Sequence, residues 1–161
     1  MSSNFMKTLT AIAALTLLLA GCASMGGSSS GIEILTSGQH SNIKDQQYTD
    51  IHNQADFDAL WKKAFANMSS APTKPVVDFS KQMVIASFIG HEDHGGYFVR
   101  VTKVDDSGAT LNVTVMVTIP GANCHFTLAS TETYNFSAIP ASSKTVNIDP
   151  KQQNAPSCGG A

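Results

Sequence analysis

Hydrophobic positions change their pattern three times along the chain. Leu9, Ala11 to Leu15 and Thr16 to Ala20 form a nearly unbroken apolar run behind the single cation Lys7. From Asn53 the period becomes helical: Phe57, Leu60, Trp61 and Ala64 fall at i, i+3, i+4 and i+7, the apolar stripe of an amphipathic helix. Asn53 is placed to cap that helix, Asp56 and Asp58 sit in its first turn, Lys62 and Lys63 fall toward its far end, and Asn67 can close it. Beyond the Pro-rich loop the pattern reads as strands. Met83 to Ile89 is apolar on both faces, which predicts a central strand covered on both sides. Tyr97 to Val104 and Ala109 to Thr118 flank Asp105-Asp106-Ser107-Gly108, a hairpin signal, and Leu111, Val113, Val115 and Val117 alternate with mostly polar residues.

A short strand is also expected from Ile32. Others are expected over Phe126 to Leu128, continuing near Thr133 to Ala138, and over Lys144 to Ile148. The sum is an α+β fold, mainly β: an antiparallel sheet or sandwich with one amphipathic helix packed against it. Four regions follow: 1–21 as a leader, 22–31 as a tether, 32–150 as the globular domain, and 151–161 as a tail without periodicity. A hydrophobic fraction of 42% with 14% charged residues fits a folded domain rather than a disordered chain.

The charge-then-apolar order of the first stretch is that of a secretory signal, and the run is shorter than the roughly 20 residues that span a bilayer as a helix. Met6 is as good a start as Met1, because it keeps Lys7 and the apolar run. The ending Leu19-Ala20-Gly21-Cys22 resembles the lipobox of bacterial lipoproteins, which implies cleavage before Cys22 and acylation of its thiol. The expectation is a chain lipid-anchored in a bacterial cell envelope. Ala23 rather than Asp after the cysteine favours the outer membrane, facing the periplasm, in a Gram-negative host. Residues Ala23 to Gly31 are small, uncharged and rich in Gly and Ser, the composition of a flexible linker.

Setting Cys22 aside leaves Cys124 and Cys158, both in the exported part where oxidation is permitted. They are expected to pair, with a two-cysteine metal site beside His125 as the competing reading. The net charge of −2 and the dispersed lysines carry no electrostatic footprint for nucleic acid.

Candidate chemistry concentrates in Gly90-His91-Glu92-Asp93-His94-Gly95-Gly96-Tyr97. Two histidines and two carboxylates could bind a metal or move protons, with His91, Glu92 and His94 as the weak ligand candidates. The plainer reading is a solvated turn whose glycines supply unusual backbone geometry. Ser41-Asn42-Ile43-Lys44 matches a Ser-x-x-Lys pattern short enough to arise by chance, and no Gly-x-Ser-x-Gly elbow is present. No catalytic residue is assigned and no cofactor is expected.

Taken in order, Phe57-x-x-Leu60-Trp61, Val77-Asp78-Phe79-Ser80, Gly90 with Gly95-Gly96-Tyr97, and the valine-rich hairpin resemble the PrcB C-terminal domain, a protease-complex-associated family, over about Ile51 to Ile148. His94 stands where the family commonly has threonine, and an expected late proline is replaced around Thr133-Tyr134. Asp78 reads as a turn cap, Phe79 as a core plug, and Gly95-Gly96 as the turn into Tyr97. The resemblance implies a non-enzymatic domain that binds or stabilises another exported protein, a protease among the candidates. The alternative is a metal or small-ligand module centred on the His91–His94 loop.

Overall fold

The computed structural model describes residues 31–126, 128–156 and 158. The leader, Cys22 and the tether up to Ser30 lie outside them. Seven strands and one helix follow in the order β1 (Glu33–Gly38), β2 (Gln47–Ile51), α1 (Gln54–Phe65), β3 (Gln82–Phe88), β4 (Phe98–Asp105), β5 (Thr110–Ile119), β6 (Tyr134–Pro140) and β7 (Thr145–Asn154). They build a four-stranded antiparallel sheet, β1-β6-β3-β2, and a three-stranded sheet, β4-β5-β7.

The layers follow from strand alternation. Val84, Ala86 and Phe88 of β3 join Tyr134 and Phe136 of β6 under Phe57, Ala64 and Phe65 of α1. Met83, Ile85 and Ile139 face the other way, onto Val99, Val101 and the alternating Leu111, Val113, Val115 and Val117 of the second sheet. The first sheet is therefore the middle layer, with α1 on one face and the second sheet on the other. This is the two-sided burial expected of Met83 to Ile89.

Helix α1 begins as expected: the Asn53 side chain accepts a hydrogen bond from the Asp56 backbone N–H at 2.9 Å. It ends at Phe65, where the Ala66 N–H reaches back to Lys62 O at 2.9 Å and Asn67 takes φ 61°, the left-handed conformation that asparagine tolerates. Phe57 and Ala64 are fully buried, while Leu60 and Trp61 are half-buried against the same core.

One strand was missed and three expectations need correcting. Strand β2 lay unrecognised in a polar stretch; it is a sheet edge, so only Ile51 is buried. Neither Phe126 nor Leu128 lies in a strand: the Phe126 ring packs on Gly96, Leu128 is exposed, and β6 begins at Tyr134. Tyr97 precedes its strand, which starts at Phe98. Strand β7 runs past residue 150 to Asn154 and pairs with β5 in parallel, from Thr110↔Thr145 to Ile119↔Asn154. Its last residues are polar because they are exposed, and the backbone ladder holds them without needing apolar side chains.

Phe136 touches Phe57 at 5.9 Å and Phe88 at 5.5 Å between ring centroids, both edge-on. Phe136→Ala should lower stability by about 3–5 kcal/mol in urea unfolding, the range for emptying a buried aromatic site. Val76→Ala, at an almost fully exposed side chain, should change it by less than about 0.5 kcal/mol.

Candidate functional site

The loop after β3 is held by its backbone before any charge enters the account. Gly90 has φ 89°, and a Cβ there would lie 2.8 Å from Lys44 O, so only glycine lets the loops approach. The closeness is used: the His91 N–H donates to Lys44 O at 3.0 Å. Glu92 and Thr131 then exchange backbone hydrogen bonds at 2.9 Å each way, and Thr131 Oγ1 donates to His94 O at 3.1 Å. The β1–β2 loop, the β3–β4 loop and the approach to β6 are thereby tied together at one end of the middle sheet.

The candidate side chains separate from one another. His91 Nδ1 lies 2.9 Å from Glu132 Oε1. Glu92 is engaged through its backbone, and burial, with the Glu92 carboxylate adding to it, holds the Tyr97 hydroxyl above its usual pKa. His94 Nδ1 sits 2.9 Å from Gly95 O, which requires the proton on that nitrogen, and its ring stacks on Phe126 with a 9° interplanar angle and a 6.2 Å separation. Among the described residues no group of three His, Cys, Asp or Glu is arranged to hold a metal ion.

The family-motif residues lie at opposite ends of β3. Asp78 Oδ1 accepts from the Ser80 backbone N–H at 3.1 Å and from Ser80 Oγ at 2.5 Å, the turn cap expected of it. Phe79 is half-buried on the α1 side, 5.9 Å from the Phe57 ring. Beyond the far end of β3, Gly96 has φ 94° and a Cβ on it would come within 2.4 Å of the Phe126 ring, whereas Gly95 has ordinary φ and room around it. The two glycines are thus unequal in role. Cys124 and Cys158 are bonded, with Cα atoms 5.2 Å apart, fastening the chain after β7 to the loop after β5.

The residue that sequence reading missed is Glu132. Its side chain is 7% exposed, and Oε1 accepts hydrogen bonds from both Lys44 Nζ and His91 Nδ1. Burial alone would raise its pKa; the Lys44 and His91 hydrogen bonds and charges outweigh burial, and the carboxyl sits below its usual value. A lone carboxylate in Thr131-Glu132-Thr133-Tyr134, a strand-like run, was the available signal, since buried charges need partners. Glu132 and Lys44 line a cleft of about 610 Å³ with Gln39, Ser41, Asn67 and Tyr134. A second depression, about 300 Å³, lies by the disulfide among His94, Tyr97, Pro120, His125 and Phe126.

Residues 83–134 match the family described as PrcB C-terminal. That segment holds β3, β4, β5, the His91–His94 loop and the start of β6, about a third of the chain and narrower than the Ile51 to Ile148 expected. Asp78 and Phe79 fall outside it; Gly95, Gly96, Tyr97 and Glu132 fall inside. The family name points to a protease complex. No curated protein and no solved structure matches the chain.

Gly96→Ala must strain the backbone and displace Phe126, so it should cost about 3 kcal/mol or more in thermal or urea unfolding. Gly95→Ala should stay within about 1 kcal/mol.

The lowered pKa of Glu132 sets a pH dependence. Its ionisation contributes stability above the unfolded glutamate value, and that contribution is lost as pH falls through the lower folded value. The acid limb of the stability–pH profile should therefore be shallower in Glu132→Gln than in the wild type; superimposable limbs would contradict the assignment.

Proposed function

We propose that this chain is an exported lipoprotein, acylated at Cys22, whose domain binds or stabilises another exported protein, a protease being the favoured partner, without catalysis of its own. The observation that carries the reading is the PrcB C-terminal match over residues 83–134, whose name refers to a protease complex. The site chemistry supports it. The histidines of the matched loop are engaged, His91 with Glu132 and His94 with Gly95 O and the Phe126 ring, in contacts that brace three loops. The lipobox-like Leu19-Ala20-Gly21-Cys22 supports the anchor.

Two measurements test this together. Cells expressing the full chain should incorporate labelled palmitate into it, and Cys22→Ser should abolish the incorporation. Chemical crosslinking of intact envelopes, followed by mass spectrometry, should return the same exported protein in independent preparations. Failure to find a reproducible protein partner would sink the binding reading, whatever the outcome of labelling.

A further inference from the structure

We infer that the Glu132-lined cleft is the seat of an extended polypeptide segment of the partner, which adds to the Gly38 end of the outer edge of β1. The inference rests on the proposed protein-binding function and locates it on the molecule.

Position is the first argument. Gly31 lies against Pro140, so close that a Cβ on it would come 2.9 Å from the ring, and the chain therefore enters the domain beside the end of β6. Strand β1 runs from there to Gly38, opposite Tyr134 at the start of β6. At ~3.3 Å per residue these strands place the cleft about 20 Å from the point of entry.

Chemistry is the second argument. The Glu132 side chain is more than nine-tenths buried yet lines the cleft, and both of its hydrogen bonds go to Oε1. Among the described residues, Oε2 has no hydrogen-bond partner. Lys44, 62% exposed at the side chain, retains ammonium donors beside it. An acceptor and a donor side by side complement the N–H and C=O of a peptide unit. An added cation would meet Lys44 and an added anion would meet Glu132, so a neutral main chain fits better than either.

The third argument is the approach. Strand β1 is terminal in the order β1-β6-β3-β2, so among the described residues its outer backbone edge has no strand partner. Gly38, its last residue, is itself part of the cleft wall. Strand addition to such an edge is a general mode of peptide capture, in which main-chain bonds give affinity and a pocket gives specificity. A saccharide could meet Glu132 and Lys44 but would leave the strand edge unused.

Site-specific photocrosslinking in cells distinguishes these readings, with the full-length anchored protein carrying benzoylphenylalanine either at Ser69 on the cleft rim or at Ser143 near the chain's point of entry. Ser69 should yield a protein adduct whose crosslinked partner peptide can be sequenced, and Ser143 should not. Glu132→Gln should reduce the Ser69 adduct by about tenfold, the scale of one charge-assisted hydrogen bond, and the exposed Lys44→Gln provides the same test without touching a buried group. Adducts from Ser143 alone would overturn the cleft while leaving a protein partner standing. Adducts from neither position would overturn both. A saccharide adduct at Ser69, or a protein adduct indifferent to both substitutions, would overturn the peptide seat.

Discussion

Strands β3 and β6 pair without interruption from Gln82↔Pro140 to Phe88↔Tyr134, and each sends side chains into both cores. Everything else is arranged on that ladder. Strand β1 adds to β6, β2 adds to β3, α1 covers one face and the second sheet covers the other. A one-residue slip in this pairing would exchange the two faces and put Phe136 where Asn135 now lies. The face toward the second sheet also carries a polar seam. Ser87 and Asn135 are register partners, and Ser137 Oγ donates to Asn135 Oδ1 at 2.6 Å. Among the described residues Ser87 Oγ, Thr133 Oγ1 and Asn135 Nδ2 have no partner, each at a cost of about 1–3 kcal/mol. The aromatic cluster under α1 must offset this locally unfavourable chemistry.

The seam runs toward the same end of the sheet as the loop cluster, so rules of local stability are relaxed where the candidate site lies. Glu132 connects the two features. It stands next to Thr133 in the chain, its backbone N–H donates to Gln39 O at 2.8 Å, and its carboxylate joins Lys44 to His91. One side chain thereby braces loops from three parts of the sequence. The glycines at 90 and 96 serve this convergence, the first by letting two backbones meet and the second by accepting an aromatic ring.

Helix α1, the two-faced β3 and the β4–β5 hairpin were legible in the sequence because each is decided by local periodicity and by turn or cap residues within a few positions. The disulfide was legible through cysteine parity. Strand β2 and the end of β7 were not, because an edge strand is specified by its neighbour's free hydrogen bonds rather than by its own side chains. The parallel β5–β7 pairing was equally hidden, since it is a relation between segments. In the candidate site the His91–His94 loop announced itself by composition, but its partners Lys44 and Glu132 are far away in sequence. Their meeting is a product of the fold. The resemblance carried by Gly95, Gly96 and Tyr97 named the family and left the cleft undescribed.

The strand order has a consequence for how the domain acquires its structure. The β4–β5 hairpin closes over a four-residue turn, but β1 pairs with β6 across roughly a hundred residues, and β3 with β6 across about fifty. Until Tyr134–Pro140 docks, β3 and β1 have no common neighbour, and the Val-rich face of the hairpin lacks Ile139 of the surface it covers. A chain on which Tyr134–Pro140 has not docked leaves strand edges open and apolar surface exposed, the conditions under which self-association competes with folding. Pairing of β6 between β1 and β3 closes two of those edges at once.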